Sequence, residues 1–364
     1  MQLNNLYLKN FKSYEEAEID FCPRVNCIVG NNGSGKTNLL DAVHYLSVSK
    51  SYFAVADRDN IRHGEEFFSI NGRYTLDEND AQVSVVQRKG HRKTLKFNQK
   101  DCPRMSEHIG RIPLIMVSPQ DQELIYGGSE LRRKFLDNVI SQFNRPYLEH
   151  LLAYTKAVEQ RNRLLKEENP DPALLEVFDL QMQQHGEPIY EERKRFVADF
   201  IPVFRNYYHL IAGSGEQADL EYHSQLNDGS FADLLRQALP KDRILQFTTV
   251  GVHKDDIDLL LDGHSIKKCG SQGQQKSFLL ALRLSQLQYT AQVKKRYPIL
   301  LLDDIFDKLD LERVRRLMDI VGEEHFGQVF LSDTHPERVL DLFGKDSAET
   351  RVFKVENSRI TEVK

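Results

Sequence analysis

Apolar and polar residues alternate through "LNNLYLKNF" and again through "YEEAEIDF", a period of two that predicts two strands joined around Asn10–Tyr14. The apolar run Cys27-Ile28-Val29 predicts the buried end of a third strand, and after a glycine-rich stretch Leu39, Leu40, Val43 and Leu46 fall at helical spacing. Period two returns from Phe67 to Lys100 as an antiparallel meander with an acidic turn, "DEND". Ile112–Gln120 reads as a short buried strand ending at a proline turn. Between Ser129 and Leu239 the period becomes helical: Leu131, Phe135, Leu136, Val139 and Ile140 share one face, and "NPDP" at Asn169–Pro172 divides two long helical stretches. This predicts an antiparallel helical arm, short for an extended coiled coil. Strand character resumes after Pro240, then helix, strand and helix. The continuous apolar run of Tyr297–Asp303 suits a parallel strand covered on both faces. The expected fold is α/β: a head made of 1–125 and 241–364, split by a helical arm at 126–240.

At 364 residues there is room for such a head with an insertion. No apolar run approaches the ~20 residues of a membrane span, and the first residues lack signal-peptide character. Cys22, Cys27, Cys102 and Cys269 have no metal-ligand spacing, so reduced thiols in a cytoplasmic protein without a membrane partner are expected. A net charge of −5 argues against a uniformly basic coat and leaves local patches. Arg88, Lys89, Arg92, Lys93, Lys96, Lys100, Arg104 and Arg111 face only Asp101 and Glu107 in their stretch. Lys89, Arg92, Lys93 and Lys96 are therefore candidate contacts to DNA phosphates, against the alternative of a solvated face that guards a strand edge. Arg132-Arg133-Lys134 and "ERKRF" (Glu191–Phe196) are weaker candidates. The chain has no Trp, which favours backbone contact over base stacking.

The candidate chemistry begins at "GNNGSGKT". Gly30, Asn31, Asn32, Gly33, Ser34 and Gly35 form a loop between strand and helix whose N–H groups can turn toward phosphates. Lys36 would reach the β- and γ-phosphates of ATP, and the Thr37 hydroxyl would ligate Mg²⁺. In "LLLDDIFDKLD", Asp303 would orient the Mg²⁺ shell and Asp304 the attacking water. Upstream, Ser271-Gln272-Gly273-Gln274 opens a helix and matches the core of the signature motif of ABC-type ATPases, although Ser271 suits a plain N-cap equally well. Asp310 occupies the place of a D-loop. Gln120 or Gln122 is a candidate Q-loop residue, and Asp333, Thr334 and His335 compete for the switch position.

Together with "GGSELRRKFLD" (Gly127–Asp137), these motifs resemble the RecF family of bacterial recombination and repair ATPases over essentially the whole chain. The resemblance implies an SMC-like, ABC-type head that binds ATP and Mg²⁺, forms an ATP-dependent homodimer, hydrolyses ATP slowly with DNA stimulation, and binds duplex DNA and single-strand/duplex junctions. It also implies RecO and RecR as partners in helping RecA to load. Gly270 and Gln272 depart from the usual signature residues, which bears on dimer affinity and turnover. The competing class is an ATPase subunit of an ABC transporter, for which a shorter arm and a membrane partner are expected.

Overall fold

The computed structural model describes residues 1–213, 215–306, 311–322, 326–335 and 349–363. The chain divides into two compact units, one of 1–121 with 286–364 and one of 122–285.

In the first unit the alternating segments pair as expected. Strands β1 (Gln2–Phe11), β2 (Tyr14–Asp20), β4 (Phe67–Leu76), β5 (Asn79–Arg88), β6 (Thr94–Phe97) and β7 (Lys100–Asp101) form an antiparallel sheet in the order β2-β1-β4-β5-β6-β7. The apolar runs form a second sheet from β3 (Val25–Val29), β8 (Leu114–Val117), β12 (Ile299–Asp303), β13 (Val329–Asp333), β14 (Thr350–Glu356) and β15 (Arg359–Glu362). Its order is β15-β14-β3-β13-β12-β8, parallel except for the β15 edge. Helix α1 (Lys36–Val48) lies between the two sheets. Leu39, Leu40, Val43 and Leu46 share one core with Leu3 and Ile70 of the antiparallel sheet and Leu301 and Phe330 of the parallel one. A helix buried on both sides holds the loop before it on a rigid base. Helix α9 (Leu311–Gly322) precedes β13.

The second unit begins with α2 (Glu123–Tyr126), α3 (Ser129–Phe143), α4 (Arg145–Leu164) and α5 (Pro172–Ala212). The break falls where "NPDP" predicts it: Asp171 caps α5 by accepting from the Ala173 N–H, and Pro172 takes the first turn, where its missing donor costs nothing. The expected all-helical arm differs after Gly213. Ala218–His223 is a strand, β9, whose buried Ala218 and Leu220 alternate with more exposed neighbours. It pairs with β10 (Asp256–Leu261), which also pairs with β11 (His264–Ser265), and α6 (Phe231–Leu245) lies between β9 and β10 in the chain. Helices α7 (Ile266–Cys269) and α8 (Gln272–Lys294) complete the path back to β12. Residues 241–285, grouped with the head on sequence pattern, thus fall within this second compact unit. Among the described residues no helix is long and apolar enough to cross a membrane.

Candidate nucleotide and nucleic-acid sites

The loop between β3 and α1 is built on glycine. Gly30, Gly33 and Gly35 have φ of 155°, 77° and 117°, values that side chains rarely tolerate. At Gly30 a Cβ would also stand 2.3 Å from the Val355 carbonyl oxygen. Gly35 is the N-cap of α1 and offers no side chain to its first turn, so the backbone donors there are left for an anion. The Tyr14 hydroxyl donates to the Gly35 carbonyl at 3.0 Å, and the Ser358 N–H to the Ser34 carbonyl at 3.0 Å. Lys12 lies 2.5 Å from the buried Asp41 carboxylate and pins the first hairpin to α1. The loop's shape is thus fixed from outside. Inside it, the buried Ser34 hydroxyl has no hydrogen-bond partner among the described residues, an orphan that an anion would satisfy.

Lys36 folds back across the loop and donates to the Gly30 and Asn31 carbonyls at 2.7 and 3.0 Å. Burial lowers its pKa from the ordinary lysine value, opposed by the charges of Asp304, Asp303 and Asp333. Across from it, the Thr37 hydroxyl stands 3.1 and 3.0 Å from the two Asp303 carboxylate oxygens. Burial raises the Asp303 carboxyl above its ordinary value, against hydrogen bonds from Ser332 and Thr37. Among the described residues no cluster of three or more His, Cys, Asp or Glu could hold a metal unaided. A hydroxyl and one carboxylate are nonetheless a fitting donor set for Mg²⁺, which takes one or two protein oxygens and completes its shell with phosphate and water.

Parallel pairing explains why residues about 270 positions apart meet here: β12 and β13 flank each other, with Asp303 opposite Ser332, and β13 flanks β3. Ser332 has no place in the sequence motifs, yet its hydroxyl donates to Asp303 at 2.7 Å and accepts from the Asp304 N–H at 3.0 Å. Asp304 itself has φ of 48°, a strained conformation for a residue with a side chain. Of the switch candidates, Asp333 is buried and its carboxylate accepts from the His335 N–H at 2.8 Å, Thr334 is half-buried, and His335 is exposed. Gln120 is exposed on a turn held by Asp121, which accepts from the Ser118 N–H and the Tyr52 hydroxyl. Asp310 lies outside the described residues.

In the second unit, Ser271 and Gln274 form a reciprocal capping box at the start of α8: the Gln274 N–H donates to Ser271 Oγ at 3.3 Å and the Ser271 N–H to Gln274 Oε1 at 2.7 Å. Gly273 is half-buried in the first turn. Gly270 has a steric reason, since a Cβ there would lie 2.7 Å from the Ile266 carbonyl oxygen.

The basic stretches separate. Lys93 turns inward, to Asp57 at 2.8 Å and to the Ser49 carbonyl, with its ammonium 5.0 Å from the Tyr45 ring centroid. Lys89 pairs with Glu66 at 3.0 Å, Arg92 donates to the Pro103 carbonyl at 2.9 Å, and Lys96 lies 3.6 Å from Asp101. In the arm, Arg132 grips Asp256 through two hydrogen bonds of 2.7 and 2.9 Å, and Arg133 donates to the Asp255 carbonyl at 2.6 Å. Arg193 is buried among Asp137, Asp255, Tyr147 and the Val252 carbonyl.

The family described as RecF/RecN/SMC N terminal domain matches residues 2–361. A DNA replication and repair protein RecF of Flavobacterium johnsoniae is 47% identical over 359 residues, 98% of this chain and 100% of its own. That of Porphyromonas gingivalis is 44% identical over 362 residues, 99% and 100% of the two chains. Among solved structures, one described as the recombination mediator protein RecF with ATP in the RecFOR pathway superposes with a TM-score of 0.89 at 27% identity, covering 100% of this chain and 97% of that one. An Smc head domain from Pyrococcus furiosus, at 18% identity, TM-score 0.58 and coverage of 99% and 95%, shares the fold.

Proposed function

Because this chain belongs to the RecF family of DNA replication and repair proteins, we propose that it is an ATP-dependent DNA-binding protein of recombinational and gap repair, closing as a homodimer around ATP. The family is one of SMC-like ATPases, and full-length similarity to repair proteins disfavours the transporter alternative. The observation that carries the reading is the approach of the Thr37 hydroxyl to both Asp303 oxygens at the mouth of the glycine loop. The loop donors at 30–37 and Lys36 bind the phosphates, with Lys36 moving from the Gly30 and Asn31 carbonyls to the β- and γ-oxygens. Thr37 and Asp303 would hold a Mg²⁺ ion, which would supply neutralisation of the phosphate charge. Asp304, set apart by its backbone strain, orients the attacking water.

One chain carries a single phosphate loop and a single signature, so a complete site takes Ser271, Gly273 and Gln274 from a second copy, giving two ATP molecules in an isologous seam. In that setting Ser271 uses its free hydroxyl proton toward the γ-phosphate while still capping α8. Gln120 serves as the Q-loop contact, Thr334 or His335 as the switch, and Asp310 as the D-loop acid. Hydrolysis is slow and DNA-stimulated. The description of a similar structure as a mediator of the RecFOR pathway supports RecO and RecR as partners, acting in the cytoplasm at duplex DNA and junctions. The test is retention of a duplex with a single-stranded extension: binding with Mg²⁺·ATP and little with ADP is expected, and equal binding with both contradicts the proposal.

A further inference from the structure

Asp303, beside the phosphate loop, ends β12, whose first residue Ile299 lies at the opposite end of the parallel sheet, roughly 13 Å away at ~3.3 Å per residue. At that far end β8 and β12 begin side by side, Ile299 opposite Leu114, and the segments leading into them bring together residues far apart in sequence. Arg111 and Pro113 precede β8, and Lys294 and Arg296 precede β12. With Leu76, Asp77, Phe97 and Gly110 they bound a pocket of about 360 Å³.

Three cations and one carboxylate line it. Arg296 pairs with Asp77 and also donates to the Arg111 carbonyl at 3.5 Å, so the one acid is spent on the one arginine. Arg111 has no carboxylate partner among the described residues: its guanidinium lies 4.9 Å from the Phe97 ring centroid, stacked and pre-oriented, while the residue is exposed. Lys294 is exposed, with no carboxylate partner among the described residues. Lys100 stands directly across the β6–β7 pair from Phe97, which puts a fourth cation on that face. Lys294 also complements the C-terminus of α8, and Arg296 secures the turn at Asp77, but neither role uses the fork of Arg111 or calls for a cavity.

We propose that this pocket, framed by Arg111, Lys294 and Arg296, binds one backbone phosphate of a nucleic-acid strand. Its volume takes a phosphodiester with its flanking sugar and not a duplex, so the strand runs across its mouth. A charged fork over an aromatic ring reads phosphate without regard to base, in keeping with a protein that binds DNA by structure. The proposal rests on the DNA-binding reading above and adds the site. It also moves the contact away from Lys89, Lys93 and Lys96, which have acid partners within the protein.

The experiment uses the full chain with Mg²⁺·ATP and a duplex carrying a single-stranded extension, titrated across a range of salt concentrations. Losing one phosphate contact lowers the slope of log K against log salt by about 0.9, which at ~0.1 M salt is about an eightfold loss of affinity. Arg111→Gln with Lys294→Gln is expected to show that loss, with ATP binding unchanged as evidence of folding. Arg111→Lys with Lys294→Arg keeps the charges and is expected to retain most of the affinity. Unchanged affinity and slope in the Gln pair overturn the site. If the wild type binds inorganic phosphate there and the Gln pair loses only that, the occupant is a free anion and the nucleic-acid assignment falls. If the wild type itself binds no DNA with ATP, the functional reading fails first and takes this site with it.

Discussion

Replacing Arg193 with alanine distinguishes a structural cation from a DNA contact. Its guanidinium makes four hydrogen bonds, to the Asp255 carboxylate and the Val252 carbonyl at 2.7 Å, to Asp137 at 2.8 Å and to the Tyr147 hydroxyl at 3.0 Å. The Asp255 side chain is fully buried and would keep the Tyr222 hydroxyl, at 2.6 Å, and the Ser224 side chain, neither of them charged. Breaking one side of a buried pair costs about 3–5 kcal/mol, because the other charge is left in a poor solvent. With a urea dependence of about 2–3 kcal/mol per molar, the unfolding midpoint should fall by about 1–2 M. The pH dependence has a definite sign. Burial already raises the Asp255 pKa and Arg193 opposes that, so without Arg193 the carboxyl takes up a proton more readily in the folded state. The variant's deficit should therefore shrink as pH falls from 7 toward 5. Urea unfolding followed by circular dichroism measures both effects, and ATP-dependent DNA affinity is measured on the folded fraction. Wild-type stability combined with lost DNA binding would refute the reasoning and return this arginine to the nucleic-acid surface.

Lys36→Arg should retain ATP binding within several-fold and lose hydrolysis, since the planar fork of arginine does not fit where Lys36 threads between the Gly30 and Asn31 carbonyls; phosphate release assays check it. His253 is lowered to about 4 by burial, its Nδ1 beside the Tyr154 hydroxyl and its Nε2 beside the Thr248 carbonyl. A depressed pKa contributes stability that is present above about 6.5 and is lost as pH falls toward 4, so acidification from pH 7 to 5 should cost the wild type about 1–2 kcal/mol more than His253→Gln in the same urea assay.

The glycine loop and the acidic strand were legible as local structure because each rests on consecutive residues: glycines where φ is positive, then Lys36 and Thr37, and an apolar run ending in Asp303. The meander and the helix break at Asn169–Pro172 were legible from period and caps. Basic runs were not, because sequence proximity says nothing about direction. Lys93 and Arg193 read as surface charge, yet one closes on Asp57 and Tyr45 and the other lies in a buried ionic cluster. Ser332 was invisible for a related reason, since its role comes from lying beside Asp303 across a parallel pair. Strand β9 escaped notice because six residues of alternation sit among long helical stretches. The Arg111–Lys294–Arg296 pocket joins segments about 180 positions apart, a juxtaposition made by the neighbouring starts of β8 and β12.

A composite ATP site shared between two copies of the chain is tested most directly by sedimentation velocity of Asp304→Asn with Mg²⁺·ATP. Losing the carboxylate proposed to orient water should leave ATP bound and accumulate the proposed closed form, in which the γ-phosphate would be bound better. The expected result is a monomer without nucleotide, a stable dimer with ATP, and a return to monomer when Ser271→Arg is added. A protein that binds ATP and stays monomeric, or a dimer indifferent to both ATP and Ser271, would contradict it.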